Sequence, residues 1–346
     1  AYFKRVYAQA PNTPRSFPSI FASRFPSQIK VDKEFQNYSD PLDDNVFLFE
    51  VLQAAGIKTE GFASHFYFDR APGIRQGFDR FDNEGALDIA GSNKDSASPR
   101  IVPKVEARLA ELAKGKERFA LFVHLFEPHS TYMVHQEFPL PSGAGLSDKY
   151  EMEIAFADQW TGRVLDAIEK NGLADRTLVV ALSDHGEAFG VHRVAGQKMY
   201  FHGQTLYDEL LRVPLMMRLP GAKPGAFDDP IMLVDLGPTV LDMLGLAIPD
   251  QMVGRSVLTR VLGQPLEPRP VYAQLMPAPS WNHQWAAMIT ADGAHKLIYR
   301  ISDRAFELYN LKTDPEEKRN LYSSQPELAT KLRDELARWI EVDLPL

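Results

Sequence analysis

Thr177-Leu178-Val179-Val180-Ala181-Leu182-Ser183-Asp184-His185-Gly186 is the stretch on which the fold turns. Its apolar run carries no alternation, and such a run predicts a parallel strand buried on both faces. The strand ends directly in a polar tip, Ser183-Asp184-His185-Gly186. In open α/β sheets ligands gather at the carboxyl ends of strands. A carboxylate, an imidazole and a glycine that lets the backbone turn sharply make a plausible metal site there. The same pair also suits a simple turn, because aspartate favours strand ends.

Upstream, Tyr150, Ile154, Ala157, Val164 and Ile168 recur at helical spacing, with Gly172 where a helix C-cap wants glycine. Before them Phe119-Ala120-Leu121-Phe122-Val123-His124-Leu125-Phe126 reads as a buried strand with His124 inside it. Downstream, Val213 to Leu219 reads as a strand closed by Pro220-Gly221, and Asp235 to Leu244 as a short helix ended by Gly245. Strands alternating with helices predict an α/β protein. The pattern changes near Pro265. Val271 to Gln274, Trp285 to Thr290 and Lys296 to Ile301 read as antiparallel strands, the last two joined by the turn Ala291-Asp292-Gly293. An amphipathic helix from about Gln325 to Val342 follows. Two parts are expected: residues 1–264 around the main sheet, and 265–346 as a smaller C-terminal α+β subdomain packed on it.

The chain has 346 residues, 45% hydrophobic and 24% charged, which is ordinary for a globular protein with a sizeable core. A net charge of -8 argues against a general nucleic-acid binder. It leaves anionic substrates open, since a bound cation inverts the local field. With no cysteine, disulfides, thiolate metal sites and cysteine nucleophiles are all excluded. No apolar run is long enough to cross a bilayer. The chain starts Ala1-Tyr2-Phe3 without an initiator methionine, so an upstream targeting segment or membrane anchor is compatible with it.

Further blocks share one order along the chain. Ser183 to Gly190 is followed by Phe201-His202-Gly203-Gln204-Thr205-Leu206-Tyr207-Asp208-Glu209, then Asp235-Leu236-Gly237-Pro238-Thr239, Gly254-Arg255-Ser256, and Glu307 to Leu321. The series resembles the sulfatase family of the alkaline-phosphatase superfamily, and it covers nearly the whole chain. The resemblance implies an alkaline-phosphatase-like central mixed sheet flanked by helices, with a smaller C-terminal sheet. It also implies one or two divalent metal ions (manganese, zinc or calcium) and a nucleophile at a helix N-terminus that touches the metal. Asp184 and His185 fall on the metal pair.

In sulfatases the nucleophile is a cysteine or serine that becomes formylglycine. Here the matching position is Thr13, within Ala10-Pro11-Asn12-Thr13-Pro14-Arg15-Ser16. Threonine cannot make formylglycine, and relatives with threonine here look like phosphoesterases and phosphotransferases. Thr13 would then be both nucleophile and third metal ligand. A threonine before proline also reads as an N-cap with proline at the first helical position. The two roles are compatible, because a helix N-terminus favours a bound anion.

His129, in Phe126-Glu127-Pro128-His129-Ser130-Thr131-Tyr132, matches a histidine that contacts the ester group, although Glu127 and Thr131 depart from the family pattern. The resemblance makes it a donor or general acid; otherwise it is a loop histidine. His202 suits a charge stabiliser or a second-metal ligand. His192 lacks its usual preceding glutamate, which is Val191 here, and carries less weight. Glu187 reads as support or surface, His124 as a core histidine, and His65 and Arg15 stay unassigned.

The family's first strand ends in an aspartate that completes the metal shell. The opening Phe3 to Thr13 resembles the segment after that strand, and no ligand candidate precedes Thr13. Weak metal binding by this polypeptide is therefore expected. The functional expectation is a metal-dependent hydrolase of sulfate or phosphate esters, acting on a small molecule, glycan or lipid head group. Two alternatives stand beside it: a phosphotransferase on membrane lipid or glycan head groups, and a non-catalytic binding relic.

Overall fold

The computed structural model describes residues 1–87 and 96–343. The chain divides into two compact units, Ala1–Leu48 with Leu178–Leu346, and Phe49–Thr177.

The first unit is built on a mixed sheet. Strand β1 (Tyr2–Tyr7) pairs antiparallel with β8 (Arg212–Arg218) and parallel with β9 (Ala226–Phe227) and β10 (Ile231–Met232). Strand β5 (Val179–Leu182) pairs antiparallel with β8, so the order is β10-β1-β8-β5. Along β8 the period-two rule is plain: Val213, Leu215 and Met217 are buried while Arg212, Pro214 and Met216 are exposed.

The opening segment is thus itself a strand. The expectation for β5 needs a correction. It was read as a buried parallel strand, but its one partner among the described residues is antiparallel and all four residues are only half-buried. A continuous apolar run specifies burial on both faces in general and does not encode the direction of the neighbour.

Among its described residues this unit holds helices α1 (Thr13–Ala22), α6 (Asp208–Leu211), α7 (Leu236–Met243), α8 (Leu258–Val261) and α9 (Pro326–Asp343). Gly245 follows α7 at φ 68°, the left-handed position its sequence predicted. Strands β6 (Ala188–Val194) and β7 (Gln197–Phe201) form a hairpin where the sequence showed only a gap between motifs.

The C-terminal strands form an antiparallel sheet in sequential order, β11 (Val271–Leu275), β12 (Trp285–Ile289), β13 (His295–Arg300) and β14 (Ala305–Asn310). Three of these were expected; β14 was hidden inside the Glu307-Leu308-Tyr309-Asn310 block. Trp285, Leu297, Leu308, Leu336 and Trp339 pack with Tyr7 and Phe25 in one core. Trp339 meets Phe25 edge-on at 4.9 Å and stacks on Tyr272 at 4.3 Å. Such aromatic pairs add about 0.5–1.5 kcal/mol each beyond the area they bury.

The second unit holds a parallel sheet of order β3-β2-β4, from β2 (Lys58–Phe62), β3 (Arg80–Asp82) and β4 (Phe119–Val123). Helix α2 (Leu48–Ala54) starts on the last residue of the first unit, and α3 (Tyr67–Arg70), α4 (Ser98–Leu112) and α5 (Leu146–Lys170) follow. Helix α5 ends at Asn171 with Gly172 at φ 65°, as its periodicity predicted. Strand β4 is shorter and less buried than expected: it stops at Val123, and its residues are half-buried. His124 makes one more ladder bond, to the Phe62 carbonyl at 2.8 Å, and lies near the Phe68 ring at 5.2 Å.

Candidate active site

Strand β5 delivers the polar tip that its sequence announced, and neighbouring backbone fixes the shape of that tip. Ser16 Oγ donates to the Asp184 carbonyl at 2.6 Å, and Ser183 Oγ donates to the His185 carbonyl at 2.6 Å. Gly186 N–H donates to the Leu210 carbonyl at 2.8 Å. A Cβ on Gly186 would lie 2.2 Å from the Glu209 carbonyl oxygen, so only glycine fits this approach.

Helix α1 brings Thr13 to the same place. The capping expectation is corrected by one residue: Asn12 is the N-cap, with extended backbone, and its side chain accepts from Arg15 N–H at 3.2 Å. Thr13 is the first helical residue, and Pro14 follows it. Its hydroxyl is not spent on the helix terminus and lies 3.2 Å from His185 Nε2. Thr13 is buried, with 6% of its surface exposed.

His185 Nδ1 faces the Gly186 carbonyl at 2.8 Å. That oxygen can only accept, so Nδ1 carries the proton and Nε2 presents a lone pair toward Thr13. Burial lowers the His185 pKa; Asp184 opposes the shift, and His202 reinforces it. Asp184 Oδ2 lies 3.7 Å from the same Nε2, buried and without a hydrogen-bond partner among the described residues. A buried carboxylate oxygen left unsatisfied is costly. Its convergence with Nε2 and Oγ1 is a donor set that fits a divalent cation in kind. Among the described residues no group of three or more histidine, aspartate or glutamate side chains could hold a metal ion. The Thr13 hydroxyl is the further oxygen beside this Asp184-His185 pair.

His202 joins this cluster from the end of β7. Its ring centroid lies 4.4 Å from that of His185, and its Nδ1 bonds Glu187 Oε1 at 2.9 Å. Glu187 and His202 follow directly from the Ala188↔Phe201 pair, so the hairpin register sets their contact. Of the two readings of Glu187, support or surface, the surface one is set aside by its burial against His202. Asn12 and Ser16 were missed as partners of the site. An asparagine before Thr-Pro is a capping signal, whereas a serine's long-range bond to Asp184 leaves no local trace.

His129 belongs to the second unit. It stacks on Phe126 at 4.5 Å, lies 5.5 Å from His65, and bonds the Ser130 carbonyl through Nδ1 at 2.6 Å. Glu127 accepts from Ala97 N–H at 2.7 Å and Ser98 N–H at 3.3 Å, so this departure from the family pattern anchors the start of α4. His65 accepts from Tyr67 N–H through Nδ1 at 2.9 Å, which gives it a structural task. In the first unit Arg15 donates to the carbonyls of Glu34 at 2.9 Å and Gln36 at 3.3 Å.

The model of the sulfatase family matches residues 1–246, and that of the N-sulphoglucosamine sulphohydrolase C-terminal region matches residues 196–341. The chain is similar to arylsulfatase K of Xenopus laevis, 26% identical over 263 residues, covering 71% of this chain and 46% of the relative. It thus spans about half the length of that curated relative, and 34% of the mouse arylsulfatase K. A protein solved in complex with its substrate D-glucosamine-2-N,6-O-disulfate shares the fold, with TM-score 0.73, 19% identity, and coverage of 98% of this chain and 89% of that one. So does the phosphonate monoester hydrolase of Silicibacter pomeroyi, with TM-score 0.76, 18% identity, and coverage of 98% and 88%. With the sulfatase model matched across Asp184-His185 and the Thr13 helix alike, the chain belongs to the sulfatase family.

Proposed function

We propose that this chain carries the core of a metal-dependent hydrolase of sulfate or phosphate esters, with the Thr13 hydroxyl as nucleophile. The observation that supports it most is the 3.2 Å contact between Thr13 Oγ1 and His185 Nε2. A weak hydroxyl nucleophile needs a base or a metal beside it. The lone pair at Nε2 holds the Thr13 O–H turned into the cluster, and the N-terminus of α1 favours an anion in front of it.

The family generally uses a divalent metal, and Asp184, His185 and Thr13 would hold one here. When bound, such an ion lowers the pKa of a ligated hydroxyl and offsets developing charge. His202, oriented by Glu187, is assigned to stabilise charge at the ester. His129 is assigned as donor to the ester or leaving group on the strength of its motif. Threonine in place of a formylglycine precursor tilts the chemistry toward phosphoryl esters. The disulfated glucosamine bound by a solved neighbour makes anionic sugar esters the first class to assay.

Replacing Thr13 by alanine in the full-length protein tests the reading. Rates on p-nitrophenyl phosphate, bis-p-nitrophenyl phosphate and p-nitrophenyl sulfate should be compared with wild type. A fall of more than about a thousandfold on the favoured ester is expected. Unchanged rates on all three would show that Thr13 is not the nucleophile.

One observation favours a second reading, a binding module without turnover. The described residues supply no group of three or more carboxylate and imidazole metal ligands. Under that reading wild type itself would bind sulfated sugars and hydrolyse none of the three esters.

A further inference from the structure

The geometry points to His192 as a positioning residue: a cationic clip that pins the bulge of the β6–β7 hairpin and thereby sets the contact between Glu187 and His202. The inference rests on the proposed role of His202, but the clip itself can be measured without turnover.

The hairpin closes through Ala195-Gly196, both at positive φ, and its ladder is interrupted. Phe189 pairs with Tyr200, and Arg193 pairs with Lys198, so Gly190, Val191 and His192 face Met199 alone. Extra residues in one strand are left unpaired and bend it, and bulges occur where a side chain must be re-aimed. The end aimed here is the Ala188↔Phe201 pair, from which Glu187 and His202 continue. A slip at the bulge would therefore displace both.

His192 sits in the bulge and is held on every side. Its ring stacks on Tyr207 at 3.6 Å and 12°. Tyr207 is itself fixed, since its hydroxyl donates to Glu307 Oε2 at 2.8 Å, which also accepts from Tyr309 at 2.9 Å. His192 Nδ1 lies 2.8 Å from Glu209 Oε1, and Nε2 lies 3.0 Å from the Glu316 carbonyl and 3.3 Å from that of Glu317. A carboxylate and a carbonyl only accept. Both ring nitrogens must then donate, and an imidazole that donates from both is an imidazolium.

The surroundings suit the charge. The cleft of about 500 Å³ beside His192 is lined from α6 by Asp208 and Glu209, from the turn after β14 by Glu316 and Glu317, and by the cationic Lys4 and Arg212. Lys296 of β13 is fully buried against Asp208 at 2.8 Å and Glu317 at 2.9 Å, and Arg193 is tied back to the Gly196 carbonyl. Burial lowers the His192 pKa, but Glu209 and the Glu317 carbonyl outweigh it, and the net shift is upward. A raised folded pKa means the clip is complete below the ordinary histidine range. It loosens as pH rises through the folded value, when one of the two donors is lost.

The first test is nitrogen-15 NMR of the imidazoles in the wild-type protein. Both His192 nitrogens should be protonated at pH 7, with titration above the ordinary histidine range; a neutral single tautomer there would overturn the proposal. The second is hydrogen exchange of peptides spanning residues 188–202 in wild type, His192→Phe and Glu209→Gln. Phenylalanine keeps the stack and loses both donors, so exchange should rise about tenfold at pH 6.5, with the glutamine variant in between. Corrected for intrinsic rates, wild type should approach the phenylalanine variant at higher pH, and the His202 ring resonances should move with it. Exchange that is equal in all three proteins, or independent of pH in wild type, would overturn the clip. Neither measurement needs a substrate, so a failed clip and a failed Thr13 nucleophile are separate outcomes.

Discussion

Asn12 and Thr13 show how much one residue of register matters. With Asn12 taking the cap, the Thr13 hydroxyl is left for His185. Asn12→Ala should cost about 1 kcal/mol of stability, read from denaturant midpoints, while Asn12→Gly should cost only a few tenths. Equal losses would mean that the side chain is not capping. Arg15, two residues on, donates from Nη2 to the Glu34 and Gln36 carbonyls. Arg15→Ala should therefore leave KM for an anionic ester within about twofold of wild type; a tenfold rise would assign it to the substrate.

At the scale of elements, buried charge ties the C-terminal sheet to the segment carrying the site. Lys296 of β13, with no exposed surface, meets Asp208 at the start of α6 and Glu317 beyond β14. Burial pulls the Lys296 pKa down, but the two carboxylates outweigh it. Removing one partner of such a group strands the others, so Lys296→Met should destabilise by roughly 3–5 kcal/mol. The loss should shrink toward low pH as the stranded carboxyls take up protons.

In the second unit, Glu153 of α5 accepts from Met133 N–H at 2.7 Å and from His135 at 3.0 Å. Burial pushes its carboxyl from 4.5 up to about 8. The folded state keeps a proton that the unfolded chain releases, so Glu153 costs increasing stability as pH rises from 4.5 to about 8. Thermal unfolding of wild type and Glu153→Gln should agree best near pH 5, with the glutamine variant gaining relative stability toward pH 8. A constant difference would show that Glu153 does not titrate in that window.

For the molecule as a whole, the metal is the sharpest question. The three proposed donors, Asp184, His185 and Thr13, include a single carboxylate and a neutral hydroxyl, a thin set for any divalent cation. Calorimetric titration of this polypeptide with manganese, zinc and calcium should show weak binding, and millimolar metal should shift Tm little. Tight stoichiometric binding would mean that another carboxylate completes the shell.

Much was legible before any tertiary contact. Helix α5 with its Gly172 stop, helix α9, three strands of the C-terminal sheet and the Asp184-His185 tip all follow from local periodicity and turn chemistry. These signals live within a few residues of one another. The hairpin β6–β7 was not legible, because a bulge breaks the alternation that marks a strand. Nor was β14, whose residues Glu307 to Asn310 mix charge and aromatic surface.

What the sequence determined by itself was the kind of fold and the candidate residues Thr13, Asp184 and His185, since composition, period and motif are properties of the chain. Tertiary structure alone decided that β5 runs antiparallel to β8, that Thr13 Oγ1 meets His185 Nε2, and that both ring nitrogens of His192 face acceptor oxygens. Each of these joins residues far apart in sequence, with separations of 172 for Thr13 and His185 and 124 for His192 and Glu316. Strand direction and hydrogen-bond partners across such distances are set by packing, and no local pattern of side chains encodes them.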